Sequence, residues 1–79
     1  MDLTVRLFAL CADLAGASQT IVLVDDNATV RGVRDALERL FEPSLVARSM
    51  IAVNAAYAND ATVIVHGDEI ALIPPVAGG

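Results

Sequence analysis

The 79-residue chain has no tryptophan and no lysine, and it carries one cysteine and one histidine. Cys11 alone cannot form an intramolecular disulfide, and together with His66 it is too little for a zinc ligand cluster. The cations are five arginines against ten carboxylates, which gives a formal net charge of -5. Nucleic-acid binding needs clustered basic residues, so this composition argues against nucleic acid and favours a basic protein surface as partner.

Long apolar runs are also missing, since no stretch reaches the ~18 residues of a membrane span. The start of the chain, Met1-Asp2-Leu3, has no basic segment before an apolar one, so we expect no secretory signal and a cytoplasmic protein. What the chain has is apolar content, 56% of its residues, which indicates a globular core. Its length predicts one domain, which we place at residues 1–73, followed by an extended tail at 74–79.

In the N-terminal part of the chain, successive side chains alternate between an apolar side and the opposite side. Leu3, Val5, Leu7 and Ala9 fall on one side of residues 2–10 and Phe8 falls on the other, which predicts a strand with one buried face. Residues 11–16 fit a turn or a single helical turn closed by glycine. Residues 19–25 are rich in β-branched side chains and predict a second strand, joined to the first as an antiparallel hairpin.

After the second strand, the apolar residues recur with the spacing of a helix. Thr29 is a suitable N-cap, and Pro43 is expected to end the helix. Arg34 and Glu38 stand four apart and are predicted to pair weakly. Residues 44–49 are expected to be a loop or short turn. One face of the helix is predicted to consist of Val30, Val33, Leu37, Leu40 and Phe41.

Three further strands are predicted at 50–54, 62–65 and 69–73, with a turn at 55–60. Pro74 has no amide hydrogen for a sheet ladder, so the last strand should stop before it. The order predicts a small α+β fold with a mixed sheet of about five strands and one main helix. This arrangement resembles the β-grasp (ubiquitin-like) roll. The helix crossover is expected to place the first and third long strands side by side.

The most distinctive chemistry lies in the last six residues, PPVAGG. Pro74 and Pro75 fix φ and keep the stem extended, and the glycines have no Cβ, so they can pass through a narrow channel. A carboxylate at Gly79 becomes an acyl donor once it is joined to AMP, and a sulfur nucleophile then yields a thiocarboxylate or thioester. Gly79 would be the reacting residue of a substrate or carrier. The alternative is a frayed chain end without function.

The closing segment HGDEIALIPPVAGG, residues 66–79, resembles the end of the small subunit of molybdopterin synthase, a family of ubiquitin-like sulfur carriers. His66 departs from the family, which commonly has an acidic or polar turn residue there, and the chain also lacks lysine altogether. The resemblance covers nearly the whole chain and extends to Leu7-Phe8-Ala9, Gly16, Thr29-Val30 and Ala52-Val53-Asn54.

The resemblance implies a non-catalytic, sulfur-donating subunit of a heterotetrameric synthase that binds no cofactor itself. An adenylyltransferase related to ubiquitin-activating enzymes would use ATP to adenylate Gly79, and a cysteine desulfurase or rhodanese would supply the sulfur. The tail would then insert into the large synthase subunit, where the sulfur passes to cyclic pyranopterin monophosphate and forms the molybdopterin dithiolene. The inserted residues would be Pro74, Pro75, Val76, Ala77 and Gly78.

Phe8 and Ile73 are each on the side of their strand opposite the core residues. If the two strands are neighbours, these side chains form an apolar patch at the root of the tail. We expect them to contact the large subunit together with Pro75 and Val76, with Phe8 as the anchor. The alternative is that they are ordinary exposed hydrophobic residues.

Two other classes of function remain open. Carriers that supply sulfur for thiamine, cysteine or transfer RNA share this fold and the Gly-Gly end. A ubiquitin-like modifier conjugated to lysines, or a simple interaction module, is the other class. Isopeptide-linked adducts would indicate a modifier, and an interaction module would tolerate deletion of Gly78 and Gly79.

Overall fold

The computed structural model describes residues 1–75, which form a mixed five-stranded sheet with helices on one face. The strand order is β2-β1-β5-β3-β4; β1 and β5 are parallel and the other pairs are antiparallel. The predicted α+β roll with a mixed sheet is therefore confirmed. The elements in chain order are β1 (Asp2–Leu7), α1 (Ala9–Ala15), β2 (Gln19–Leu23), α2 (Val30–Leu37), α3 (Pro43–Arg48), β3 (Met50–Val53), β4 (Ala56–Tyr57) and β5 (Ile70–Ile73).

The first strand buries Leu3, Val5 and Leu7 as the alternation predicts, but it ends at Leu7 and not at residue 10. Ala9 has φ 47° and begins α1, so the prediction that it extends the buried face is wrong. The carbonyl oxygen of Phe8 accepts the amide of Cys11 at 3.1 Å, which starts the helix.

The helix α1 closes where the sequence indicates. Gly16 stands after its last residue with φ 65°, a left-handed conformation in which glycine has no steric penalty. The predicted hairpin is also confirmed, because β2 runs antiparallel to β1 with Leu3 opposite Val22 and Val5 opposite Thr20.

The main helix is shorter than its apolar face suggests. Val30, Val33 and Leu37 are fully buried, but α2 ends at Leu37, and Leu40 is exposed beyond it. The predicted loop at 44–49 is wrong, because α3 occupies Pro43–Arg48 and buries Leu45 and Val46. Pro43 stands at the start of α3, where its fixed φ favours a helix and its missing N–H costs nothing.

One of the strand predictions and the turn prediction at 55–60 are wrong. Residues 62–65 form no strand. Val63 makes one isolated antiparallel bridge with Thr29. The two-residue strand β4 lies inside the predicted turn 55–60 and pairs Tyr57 with Ala52. Such a short strand has no alternation of its own to detect.

The strand order also differs from the sequence expectation. The first and third strands are not neighbours, because β5 lies between β1 and β3. A strand of four residues buried in the middle of a sheet gains ladder hydrogen bonds on both sides. The core lies between this sheet and the helices and consists of Leu3, Val5, Leu7, Cys11, Val22, Val30, Val33, Leu37, Leu45, Val46, Ile51, Ile64, Ile70 and Leu72.

Arg34 links three segments of the chain and does not pair with Glu38 as predicted. Its Nη1 donates to the carbonyl oxygens of Val46 at 2.6 Å and Ser49 at 2.9 Å, and its Nε lies 3.3 Å from Asp60 Oδ1. These contacts supply donors at the C-terminal end of α3, where the last carbonyls lack regular intrahelical partners. The Val46 oxygen also accepts the Ser49 amide at 3.1 Å. The pair with four-residue spacing is formed by Arg31 and Asp35 instead.

We therefore expect Arg34→Met to lower the free energy of unfolding by roughly 2–3 kcal/mol, because hydrogen bonds from a charged group to two carbonyls are lost. The side chain of Arg34 is only 12% exposed, so water does not readily replace it. Urea denaturation measures the change. Arg31→Met is the matched control, and its exposed ion pairs should contribute less than about 1 kcal/mol. Equal effects of the two substitutions would contradict this role of Arg34.

Candidate functional site

The face of the sheet opposite the helices carries a shallow hollow beside β5. In register, Arg6 lies next to Ala71 and Ala71 lies opposite Ala52, so these side chains share one face. The two alanines are small and leave a depression with larger side chains around it. We call this depression the sheet hollow; it is lined by Arg6, Phe8, Ala52, Ala55, Tyr57, Glu69, Ile70, Ala71 and Ile73.

Phe8 forms one wall of the sheet hollow and is 42% exposed. It follows β1 in an extended conformation, φ -128° and ψ 155°, so it continues the alternation of the strand onto the open face. The next residue, Ala9, turns the chain into α1 with a positive φ that a non-glycine residue rarely adopts. The strand-to-helix junction therefore holds the aromatic ring at the end of β1.

Ile73 reaches the same hollow from the last strand. Leu7 is in register with Leu72 in the parallel pair, so the positions that follow them, Phe8 and Ile73, are neighbours across the two strands. The sequence prediction that the two strands can be adjacent is confirmed, and both side chains line the sheet hollow.

Two further residues, which the sequence does not single out, enlarge the apolar surface. Met50 pairs with Ile73 and is 47% exposed, and Tyr57 is 67% exposed on β4. Contiguous exposed apolar groups of this kind mark interaction sites more often than isolated ones do. Their link to Ile73 depends on the pairing of β3 with its neighbours, which no local pattern in the sequence reveals.

The root of the predicted tail lies at the edge of this surface. The strand β5 ends at Ile73, Pro74 is buried and Pro75 is exposed. Pro74 thus follows directly on a residue that lines the sheet hollow. The other predicted tail residues, Val76, Ala77, Gly78 and Gly79, lie outside the described residues.

A hydrogen-bonded turn supports the strand that leads to the tail. Asp68 accepts hydrogen bonds from the Val65 amide at 2.8 Å and from Asn54 Nδ2 at 3.0 Å, while Asn54 Oδ1 accepts from the Glu69 amide at 3.0 Å. The backbone hydrogen bond, with the Asn54 bond second, holds the pKa of Asp68 below its usual value. The turn therefore ties the start of β5 to the end of β3.

Cys11 and His66 have different environments. Burial raises the pKa of the Cys11 thiol, so the nucleophilic thiolate is disfavoured and the side chain acts as part of the core. His66 is exposed in the turn before Gly67, whose φ is 94°.

Within residues 1–75, no three His, Cys, Asp or Glu side chains are placed to hold a metal ion. None of the helices described in that range has the length and apolarity to cross a bilayer.

Comparison with known proteins gives a family match over most of the chain. Residues 5–79 match the model of the ThiS family. The molybdopterin synthase sulfur carrier subunit of Arabidopsis thaliana is 31% identical over 81 residues, which cover 100% of this chain and 84% of the relative. The molybdopterin synthase sulfur carrier subunit of Haemophilus influenzae is 35% identical and covers 98% of this chain and 99% of its own length.

Solved structures agree with the fold. The crystal structure of SAMP1 from Haloferax volcanii is 30% identical with a TM-score of 0.81, and the match covers 100% of both chains. A chain in the complex of subunits 1 and 2 of the molybdopterin-converting factor from Helicobacter pylori is 26% identical with a TM-score of 0.65, again over 100% of both chains. The β-grasp architecture predicted from the sequence is thus shared with these proteins.

The hydrogen bonds of Asp68 predict a pH-dependent contribution to stability. Because the folded-state pKa of Asp68 is depressed, its stabilising effect is present at neutral pH and is lost as the pH falls through that pKa. Asp68→Asn should therefore lower the urea midpoint at neutral pH, and the difference from the unmodified chain should shrink in acid. Glu69→Gln removes the same charge from the next residue and serves as control. A difference that stays constant down to strongly acidic pH would contradict this assignment.

Proposed function

The chain belongs to the ThiS family, and on that basis we propose that it is the sulfur carrier subunit of a molybdopterin synthase, with Gly79 as the residue that carries the sulfur. Two relatives with that function match the chain over nearly its whole length. The observation that carries the proposal furthest is the position of the sheet hollow, which lies at the root of the PPVAGG tail. The body of the protein then supplies a docking surface and the tail supplies the reacting group.

The chemistry follows from the carboxylate of Gly79. A carboxylate is a poor acyl donor, so it first attacks ATP on an adenylyltransferase, pyrophosphate leaves, and the glycyl adenylate forms. A persulfide carried by a cysteine desulfurase or rhodanese then attacks the carbonyl carbon, AMP leaves, and an acyl disulfide forms. A thiol attacks the cysteine sulfur of this disulfide, a new disulfide forms, and the thiocarboxylate of Gly79 is released. That group donates its sulfur to cyclic pyranopterin monophosphate, from which the dithiolene is built.

The large subunit of molybdopterin synthase is the proposed docking partner. The Helicobacter pylori complex, which contains two subunits of a molybdopterin-converting factor, supports a partner of this kind. Phe8 and Ile73 would contact the large subunit while Pro74, Pro75 and the residues up to Gly78 enter its active site. The pterin precursor is anionic and this chain is acidic, so the groups that bind the precursor belong to the partner.

A ubiquitin-like modifier is the second candidate, favoured by the likeness to SAMP1, the small archaeal modifier protein 1 of Haloferax volcanii. In that case the glycyl adenylate would react with a lysine amine of another protein. The chain itself has no lysine, so its own side chains cannot accept a second copy through an isopeptide bond. Isopeptide-linked adducts in cells would identify the modifier, and a thiocarboxylate without such adducts would identify the carrier.

Intact-mass measurement tests the carrier chemistry. After incubation with an adenylyltransferase from the same organism, ATP and a sulfur donor, the protein should gain the mass difference between sulfur and oxygen. A variant without Gly79 is the control and should stay unchanged, because the reacting carbonyl is displaced from the adenylation site. An unmodified mass for the complete chain under conditions that form the adenylate would contradict the proposal.

The docking surface makes a separate prediction. Phe8→Asp should weaken binding to the large subunit by roughly 30-fold or more, since an aromatic anchor at an interface contributes about 2 kcal/mol or more. Leu14→Asp is the matched control, because Leu14 is exposed on α1, away from the sheet hollow. Titration calorimetry measures both, and circular dichroism checks that both variants fold. Equal binding by the two variants would contradict the proposal that Phe8 contacts the large subunit.

A further inference from the structure

We propose that the guanidinium of Arg6 binds a carboxylate of the docking partner, at the rim of the sheet hollow and next to the apolar contact made by Phe8. The proposal extends the function above and depends on it for the identity of the partner, the large subunit. It makes the interface a combined site in which an apolar side chain fills the hollow and an acidic one pairs with Arg6.

The first observation is the distribution of charge. Arg6 is the only arginine outside residues 30–48, whereas seven of the ten carboxylates lie outside that segment. The helical side therefore carries most of the cations, and the open face of the sheet has Arg6 as its single one. Asp2, Asp68 and Glu69 line a groove together with Arg6, so a partner surface that matches this region is basic except where it meets Arg6.

The second observation is that Arg6 has no charged partner within residues 1–75. It takes part in none of the ion pairs and none of the side-chain hydrogen bonds formed there; the arginines that do are Arg31, Arg34 and Arg48. Its direct neighbours across the sheet are Gln19 and Ala71, which are uncharged. Glu69 also lines the sheet hollow, but it forms no ion pair with Arg6, so the guanidinium has no carboxylate partner among the described side chains.

The third observation is that the guanidinium already has a defined position. Its Cζ lies 5.7 Å from the centroid of the Phe8 ring, within the range of a cation–π contact. The ring therefore orients Arg6 before any partner binds, which reduces the side-chain entropy lost on docking. Arg6 and Phe8 both line the sheet hollow, so a side chain that contacts one approaches the other.

Together these observations specify the chemistry of the partner. Docking on Phe8 covers the neighbouring guanidinium and removes its water, which is costly unless a new acceptor replaces that water. A planar guanidinium is matched best by a carboxylate, which accepts two parallel hydrogen bonds. One acidic residue within an otherwise basic partner surface thus provides specificity, because a uniformly basic surface would place a like charge against Arg6.

The test is a charge reversal on each side of the interface. Arg6→Glu should weaken binding to the large subunit roughly 100-fold, in the range measured for close interfacial charge pairs. Arg39→Glu changes the net charge by the same amount on the helical side, where Arg39 makes no ion pair within residues 1–75, and should change the affinity less than about threefold. Titration calorimetry with the large subunit from the same organism gives both values.

Acidic residues of the large subunit are then replaced by arginine one at a time, and one replacement should restore binding of the Arg6→Glu chain at least about tenfold. Equal losses for Arg6→Glu and Arg39→Glu, or no restoring replacement, would overturn this inference and leave the proposed function standing. Failure of the unmodified chain to bind the large subunit would overturn both. Thermal unfolding of Arg6→Glu close to that of the unmodified chain establishes that the loss does not come from misfolding.

Discussion

The parallel pairing of β1 with β5 determines the arrangement of everything else in this protein. It joins the first strand to the last through Val5 with Ile70 and Leu7 with Leu72, all buried. Because the helices cover one face of this pair, the opposite face is left open, and the chain leaves the sheet at Pro74 beside it. One pairing thus brings together an apolar surface and the start of the tail that the proposed chemistry needs.

Much of the local structure could be predicted from the sequence because it follows from short-range patterns. Alternation gave the buried face of β1, and helical spacing gave the buried residues of α2. The failures have physical reasons. A proline is compatible both with the end of one helix and with the start of the next, and here Pro43 begins α3. The order of the strands depends on long-range contacts, so the insertion of β5 between its neighbours was not visible locally.

In the candidate site, too, some features follow from local sequence patterns and others from long-range pairing. Phe8 and Ile73 could be assigned to the open face because each alternates with core residues of its own strand. Arg6 lies on the open side of β1 by the same alternation as Phe8. Met50 and Tyr57 join the site only through pairing across strands, and the hollow exists because two alanines meet in register. The role of Ala9 could not be predicted, because no sequence pattern marks an alanine with positive φ. The conformation of Ala9 holds Phe8 at the end of β1.

The central claim is that the folded body exists to deliver the carboxylate of Gly79 to other proteins. The most direct measurement uses a variant with one alanine appended after Gly79, with intact mass confirming that the addition stays in place. In cells that lack the unmodified protein, this variant should form no thiocarboxylate and should support no molybdopterin synthesis, while it still binds the large subunit. Cofactor synthesis at the normal level by the uncleaved variant would contradict the account.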